Sequence, residues 1–424
     1  MRREAMVVKP ISTSILQVFK KPLTIFLFLA NGYVLTVIAL LSRLSPETAN
    51  VTSWLYDDKY VVEASLRYYI DFRPGYPPIG KLPIHLIYLY TGGSDLAILV
   101  YNVLTFNLSI AVFYYLVERL VGNRTSILKA VILYIFNPAL ITAFLQPHAD
   151  FLALALALMG VFFLLRKRFG IVALLAALGF ATKIYPVFIL VPAMIVAGNR
   201  DRIILVTLFV SMVWLLSLPF IVQDPLMYLS TFTHHFYRGP SESIFAVLDG
   251  YYGHTGFVHP LFDAAIYYFQ FTAVYRPSHE QHFYYTWRYP SLKYIALLIQ
   301  SAGLIPLCLY AMRNWLRKSR VNNEISFYLS ILAFFTYLSL SPTQNVLVHI
   351  PAYTLACVLL ASNRDKLSTL TLVLYAMTNG LHAMCWSLPY QYIEHVLITT
   401  SNLRVLLVAL IYLSTFNLLE ELRI

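Results

Sequence analysis

The chain has few charged residues. Only 12% of its 424 residues are Asp, Glu, Lys or Arg, whereas 59% are hydrophobic; an ordinary soluble domain carries about 25% charged residues. Folded as soluble domains, this chain would leave large apolar surfaces in water. The composition therefore excludes a soluble protein. The aromatic content of 15% likewise excludes a disordered or fibrous one.

Cysteine is scarce too. The three cysteines, Cys308, Cys357 and Cys385, lie in or beside apolar runs without a CxxC pattern, which argues against a disulfide framework or a zinc site. The sequence also lacks a Walker loop, a dinucleotide-binding glycine fingerprint, HExxH and GxSxG. These absences, with the lack of a sizeable inner domain, argue against an enzyme that uses soluble nucleotide-linked donors.

Long apolar runs are abundant, and a transmembrane helix needs roughly 20 such residues. Runs of this kind occur at 23–42, 95–117, 128–145, 149–165, 203–222, 291–312, 324–340, 343–361, 367–384 and 402–419. A further stretch, 170–197, is broken by Lys183 and Pro186, and it predicts two short spans. We therefore expect an all-α polytopic membrane protein with about 12 transmembrane helices.

Basic residues predict the orientation. With the N-terminus inside, most of the 31 lysines and arginines fall in short inner segments, as the positive-inside rule requires. Both termini are then cytoplasmic, and most histidines and unexplained acids face outward, in the cell membrane of a prokaryote or the endoplasmic reticulum membrane of a eukaryote. The predicted organisation is a basic cytoplasmic N-terminus (1–22), an N-terminal transmembrane module (23–222) containing the first outer loop (43–94), a large outer loop (223–290) and a C-terminal transmembrane module (291–424).

The first outer loop carries the pair Asp57-Asp58. Residues 60–69 and 79–90 flank the pair on its C-terminal side as predicted interfacial helices, the second of which is interfacial or re-entrant. Paired carboxylates at a membrane boundary suit a general base, or a site for a divalent cation with a phosphate. The alternative is a solvated acid, with Asp58 capping the helix that follows.

A tight turn between two apolar runs contains Gln146, His148 and Asp150. Ionisable groups at membrane depth are costly and usually functional, although Asp150 is also placed to cap the next helix. Lys183 lies at the break in 170–197, too deep to reach the inner surface easily. Its partner is expected to be an anion such as a phosphate, or one of the outer acids in a structural ion pair.

Two weaker signals remain. A second outer turn contains Gln344, with His349 one turn further on. The large outer loop is rich in Tyr and His and contains Arg238 and Arg288. Aromatics with arginine suit sugar stacking and phosphate pairing, but an interfacial aromatic belt has the same composition.

Together these motifs resemble the GT-C superfamily of integral-membrane glycosyltransferases. The nearest resemblance is to the polyprenol-phosphate-mannose-dependent mannosyltransferases of the bacterial and archaeal alpha-1,2 group, and more distantly to the catalytic subunit of GPI mannosyltransferase I. The matching positions are Asp57-Asp58, Tyr76-Pro77-Pro78, Asn137-Pro138, Gln146, Lys183 to Pro186, and Ser341-Pro342. The sequence Gln-Pro-His-Ala-Asp at 146–150 and the length of loop 223–290 depart from the family pattern.

The resemblance implies inverting transfer of a sugar, expected to be mannose, from a polyprenyl or dolichyl phosphate to a lipid-linked or glycan acceptor at the outer face. Asp57 or Asp58 would be the general base. The remaining roles it implies are phosphate binding by Lys183, Arg238 and Arg288, and sugar or acceptor binding by Tyr76, Gln146, His148, Asp150, Gln344 and His349.

Apart from the divalent cation considered above, no cofactor is expected, and the partners are donor, acceptor and membrane lipids without nucleic acid. The competing interpretation is a multi-pass transporter or lipid flippase, which also needs broken helices and buried charge. The one-sided distribution of histidines and acids argues against it, since a transporter needs polar groups accessible from both sides.

Overall fold

In the computed structural model, the described parts of the chain are helical and contain no β-strand, which confirms the all-α prediction. The described residues are 21–44, 77–145, 149–225, 228–229, 232, 240, 243–249, 287, 289–302, 304–317, 323–339, 346–361, 369–384 and 390–421.

The N-terminal half contains nine described helices and one 3-10 helix. They are α1 (Lys21–Leu44), α2 (Pro78–Thr91), α3 (Asp95–Leu120), α4 (Arg124–Ile135), α5 (Ala139–Leu145), α6 (Asp150–Leu165), α7 (Phe169–Thr182), the 3-10 helix (Tyr185–Ile189), α8 (Leu190–Val196) and α9 (Asn199–Gln223).

The large loop contains one short described helix, α10 (Ile244–Leu248). The described helices of the C-terminal half are α11 (Pro290–Ala302), α12 (Ile305–Arg317), α13 (Asn323–Ser339), α14 (Val346–Ala361), α15 (Thr369–Met384) and α16 (Tyr390–Glu421).

The helices are those of a multi-pass membrane protein. Within the described ranges, five are long and apolar enough to cross a bilayer. They are Pro22–Leu40, Leu96–Leu120, Asn199–Gln223, Ile398–Leu419 and Ser291–Arg313, the last of which reaches from α11 into α12. Shorter apolar helices, among them α6 and α7, account for further predicted runs. The total of about 12 spans stays a prediction.

The run predicted as one span at 128–145 is two helices. α4 ends at Ile135, and α5 begins at Ala139 after a turn at Asn137-Pro138. The Asn137 side-chain oxygen accepts from the Ala139 amide at 3.1 Å. Proline lacks the amide hydrogen that an uninterrupted helix needs, so the chain breaks where the hydropathy stays high. The predicted break at Lys183 is confirmed, because α7 and α8 are separate helices joined by the 3-10 helix.

The core is centred on α6, which is apolar on all sides and largely buried, as expected of a helix surrounded by protein. It packs against α3 and α7, and α7 packs against α9. In the other half, α16 packs against α13 and α15. The halves meet where α14 contacts α4 and α5, and there the Tyr353 hydroxyl donates to the Leu133 carbonyl at 3.2 Å.

α2 matches the segment predicted at 79–90. Pro78 lies at its first position, where its missing amide hydrogen costs nothing. The helix packs against α3 and α7. The contact with α7 is very close, since a Cβ atom placed on Gly80 would lie 2.2 Å from the carbonyl oxygen of Thr182. Glycine is therefore required for α2 to approach the last residue of α7.

Candidate functional site

Asp150 is the first residue of α6. The preceding residue, Ala149, has φ 60°, a left-handed conformation that alanine adopts rarely. This turn brings the carboxylate to the N-terminus of α6, where the helix dipole favours negative charge. The side chain is buried, with 5% exposure.

Lys183 follows the last residue of α7. Its backbone is extended, with φ −155° and ψ 140°, so the helix ends there; its amide still donates to the Gly179 carbonyl at 2.7 Å. Positive charge at the C-terminus of a helix is favoured by the dipole. Pro186 then folds back against α7, which requires glycine at 179 because a Cβ atom there would lie 2.4 Å from the Pro186 Cβ.

The two charges meet. Lys183 Nζ donates to Asp150 Oδ1 in a salt bridge, and the Tyr185 hydroxyl donates to the Asp150 carbonyl at 3.4 Å. The other carboxylate oxygen, Oδ2, is buried and has no hydrogen-bond partner among the described residues. This oxygen is free to accept a hydrogen bond from a hydroxyl group. Of the two partner types expected for Lys183, the structure shows the acid.

An apolar cavity of about 270 Å³ opens beside α7. Its lining is mostly aromatic and aliphatic: Phe180, Phe209, Val210, Val213, Trp214, Ser217, Ile221, Tyr228 and Phe232. Phe180 and Phe232 stack with centroids 5.5 Å apart. The polar ends of Ser217 and Tyr228 satisfy each other at 2.5 Å. The cavity therefore presents almost no unpaired polar group, and Phe180 places it one helical turn before Lys183.

His349 lies elsewhere in the bundle. It is on α14, is 1% exposed, and its Nδ1 atom is 2.6 Å from the Tyr375 hydroxyl on α15. Three of the predicted site residues are described, and of these the structure brings Asp150 and Lys183 into contact. The other candidates lie outside the described residues: Asp57, Asp58, Tyr76, Gln146, His148, Arg238, Arg288 and Gln344.

No group of three or more potential metal ligands occurs within the described residues. The divalent cation considered for Asp57-Asp58 therefore stays a prediction, since both aspartates fall outside those ranges.

Sequence reasoning missed several buried polar residues. Lys81, next to Gly80, is only 6% exposed. Arg404 and His382 are both fully buried, and Arg404 lies inside the apolar run 402–419, which the sequence predicts as a transmembrane span. An arginine within such a run was itself the available signal, because charge in a transmembrane helix is costly.

Charged side chains buried among apolar helices define an integral membrane protein with a polar centre. Its class follows from a match to a protein family. The family described as glycosyltransferase family 87 matches residues 75–342. This match covers more than half of the chain, and the chain belongs to glycosyltransferase family 87. The expectation of a glycosyltransferase is thereby confirmed, and sugar transfer is favoured over transport.

No curated protein matches the chain. Among solved structures, the chain is similar to the crystal structure of ArnT from Cupriavidus metallidurans bound to undecaprenyl phosphate, with 14% identity and a TM-score of 0.43. The similarity covers 91% of this chain and 76% of that one.

Proposed function

We propose that this glycosyltransferase transfers mannose from a polyprenyl or dolichyl phosphate to a lipid-linked or glycan acceptor at the outer face of the membrane. The single observation that carries the donor assignment is the position of Lys183, whose side chain is only 13% exposed and which follows the cavity-lining residue Phe180 by one helical turn. A polyprenyl phosphate combines the same two features, an anion and a long apolar chain.

The cavity suits the chain of the donor. Its lining is hydrophobic, and its two polar side chains, Ser217 and Tyr228, bond each other. An isoprenoid chain therefore buries apolar surface there without leaving a polar group unsatisfied. A nucleotide sugar would need hydrogen-bond partners that this lining does not offer.

Lys183 suits the phosphate. Its ammonium contacts Asp150, and its side chain is 13% exposed, so it can meet a phosphate that approaches along the cavity. A buried positive charge stabilises the negative charge that develops on a leaving phosphate more strongly than an exposed one does. In the proposed role, Lys183 is assisted by Arg238 or Arg288 of the large loop.

The chemical step is an inverting substitution. The carboxylate of Asp57 or Asp58 takes the proton of the acceptor hydroxyl, whose oxygen attacks the anomeric carbon. The bond from that carbon to the phosphate oxygen breaks, and the polyprenyl phosphate leaves with the electron pair. Asp150 Oδ2, with Gln146, His148 and Tyr76, would bind hydroxyl groups of the sugar or acceptor, as would Gln344.

The donor is tested with purified protein and two labelled substrates, polyprenyl-phosphate-mannose and a nucleotide-linked mannose. We expect consumption of the first only. Consumption of the nucleotide sugar would overturn the donor assignment. If neither labelled donor is consumed, the assignment of mannose as the transferred sugar is wrong.

The base is tested separately with Asp57→Asn and Asp58→Asn. One of the two is expected to lose transfer by a factor of at least about 100, because general base catalysis contributes roughly that much or more. Asp201→Asn, which removes a carboxylate in the first turn of α9, serves as the control. Full activity in both loop variants would show that neither aspartate is the base.

A further inference from the structure

Three arginines lie at the end of α6 that is far from Asp150. Arg166 follows the last residue of α6, Arg168 precedes the first residue of α7, and Arg119 is in the last turn of α3. Because α6 contains 16 residues and an α-helix rises about 1.5 Å per residue, the turn between α6 and α7 lies roughly 24 Å along the helix from Asp150. These arginines are therefore not part of the proposed donor site.

The turn between α6 and α7 holds Arg166 and Arg168 at a fixed spacing. The Lys167 amide donates to the Leu164 carbonyl at 2.8 Å. The Arg168 amide donates to the Phe163 carbonyl at 3.0 Å. These two bonds, with Lys167 at φ 55°, form a Schellman motif, in which the left-handed position is usually glycine. The two arginines thus flank a turn of defined geometry.

The guanidinium of Arg166 is also held in place. Its Cζ atom lies 4.1 Å from the centroid of the Phe162 ring, one turn back on α6. Phe162 in turn packs edge-on against Phe163, with ring centroids 5.4 Å apart. A guanidinium that stacks on a ring face keeps its N–H donors at its edge, where two of them can bind a phosphate together. Arg166 is therefore preorganised to bind an anion.

No carboxylate neutralises the three arginines within the part of the chain that the structure describes. Arg119, Arg166 and Arg168 form no salt bridge there. Residues 118–129 and 166–168 contain six basic residues and a single acid, Glu118. The cluster therefore carries a positive charge that the described residues leave uncompensated.

The packing of α3 on α6 brings Arg119 towards the other two. The helices contact each other, and the Phe106 and Phe151 rings lie 4.9 Å apart. From these rings α3 continues to Arg119 for a length similar to that over which α6 continues to Arg166. Burial, followed by the charges of Arg119 and Arg168, lowers the pKa of Arg166, as expected for like charges that gather at one end. An anion among them would remove their repulsion.

Helix dipoles explain only part of this arrangement. A positive charge is favoured near the C-terminus of a helix, where Arg119 and Arg166 lie. Arg168 is instead at the N-cap of α7 and makes no side-chain capping bond. The dipole of α7 disfavours a positive charge at that end. The position of Arg168 therefore calls for a partner of negative charge.

The surroundings favour a lipid over a soluble anion. Ile171 and Leu174 follow Arg168 along α7 at intervals of three residues and are 40% and 37% exposed, so they lie on one face of the helix. A soluble anion would leave this apolar face uncovered, whereas an acyl chain covers it while its headgroup is at Arg168. Basic pockets between transmembrane helices bind anionic lipid headgroups in this way.

We propose that Arg166 and Arg168, together with Arg119, form a binding site for an anionic phospholipid of the bilayer. The headgroup phosphate accepts hydrogen bonds from the guanidiniums, and one acyl chain follows Ile171 and Leu174. The bound lipid is not a substrate, because the site lies at the opposite end of α6 from the proposed donor site. The lipid site therefore stands whether or not the proposed sugar transfer is correct.

Retention of labelled dioleoylphosphatidylglycerol by the purified full chain in neutral detergent tests the site. Arg168→Gln, at an exposed position, should weaken binding about tenfold, the loss of a hydrogen bond between charged groups. Arg166→Lys keeps the charge but loses the planar fork of donors, and it should weaken binding several-fold. Phe162→Leu removes the ring beneath the guanidinium while keeping an apolar side chain, and it should weaken binding as well.

The matched control is Lys129→Gln, which removes one exposed positive charge from α4 and leaves the three arginines in place. We expect normal binding by this variant. Equal weakening by Lys129→Gln and Arg168→Gln would show unspecific attraction to basic residues and overturn the site. Normal binding by Arg168→Gln would overturn it too, and this exposed position decides the outcome if either change within α6 or at its end prevents folding.

Three competitors test the class of ligand. Equal retention of dioleoylphosphatidylcholine would overturn recognition of an anionic headgroup. Displacement of the labelled lipid by glycerol phosphate at matching concentration would show a site for a soluble anion, and displacement by a peptide of glutamates would show a surface for an acidic protein. Either displacement would overturn the lipid assignment, and we expect neither.

Discussion

The backbone of Gly80 lies against the carbonyl oxygen of Thr182, so closely that a Cβ atom on Gly80 would come within 2.2 Å of it. A backbone atom cannot turn aside as a side chain can. Because Thr182 precedes Lys183, any displacement of α2 is transmitted to the end of α7 that carries the proposed phosphate ligand.

Gly80→Ala should therefore separate α2 from α7. We expect a loss of about 1–3 kcal/mol in stability, the usual cost of overpacking, together with reduced transfer. Thermal unfolding in detergent and initial transfer rates measure the two effects. Gly32→Ala on α1 is the matched control, since nothing lies within 4 Å of its added Cβ, and the alanine slightly favours a helix. Equal stability of both variants would contradict the close contact.

The Lys183–Asp150 salt bridge predicts a double-mutant cycle with different outcomes for stability and activity. Asp150→Asn and Lys183→Met should each destabilise the protein by about 3–5 kcal/mol, because each leaves one buried charge without the group it contacts here. The double variant should regain much of that stability. It should still fail to transfer sugar, because the ammonium is gone.

Thermal unfolding and transfer assays on all four proteins test this prediction. A double variant that is both stable and active would show that the salt bridge is structural only. That outcome would remove Lys183 from the proposed donor site.

The aromatic cavity predicts a dependence on donor chain length. Val213→Trp should fill part of the cavity and raise the KM for a long polyprenyl donor several-fold, while a donor with a chain too short to enter is used as before. Val206→Trp, on the same helix at a position that is 49% exposed, is the control. An equal effect of Val213→Trp on both donors would show that the chain lies elsewhere.

Two asparagine side chains form hydrogen bonds between α1 and α3. Asn31 Nδ2 donates to Asn107 Oδ1 at 2.7 Å, and a longer contact of 3.4 Å returns from Asn107 to Asn31. Hydrogen bonds between transmembrane helices contribute about 0.6–2 kcal/mol, so Asn31→Leu should lower the stability by that amount.

A double-mutant cycle with Asn107→Leu isolates this interaction. The coupling should be absent when Asn31→Leu is combined instead with Thr415→Val, whose hydroxyl bonds within its own helix to the Ile411 carbonyl. Additive effects of Asn31→Leu and Asn107→Leu would contradict a stabilising hydrogen bond between the two side chains.

Hydropathy alone predicted the positions of most helices, because each span must be apolar along its own length. The break at Lys183 was predictable for the same reason, as lysine and proline interrupt an otherwise continuous run. The break at Asn137 was missed because its neighbours are hydrophobic and the interruption is made by a proline and an asparagine cap, which hydropathy does not register.

Side-chain partners were harder to predict. Asp150 and Lys183 were both singled out, and an acid was one of two expected partners for the lysine, but the sequence did not select Asp150. Arg404 and His382 were not connected at all. Their contact joins two helices, and a single hydropathy pattern describes which helices are buried without describing which faces meet.

The ends of α6 and α7 bear on how Lys183 can exchange partners. The N-terminus of α6 stabilises the carboxylate of Asp150, and the C-terminus of α7 stabilises the ammonium of Lys183, so each helix end offsets part of the free energy lost when the salt bridge opens, roughly 0.3–1 kcal/mol. A phosphate arriving at Lys183 can take the place of Asp150 while the carboxylate stays at its own helix end. Substrate binding and product release then require a small displacement of two side chains, with the helices remaining where they are.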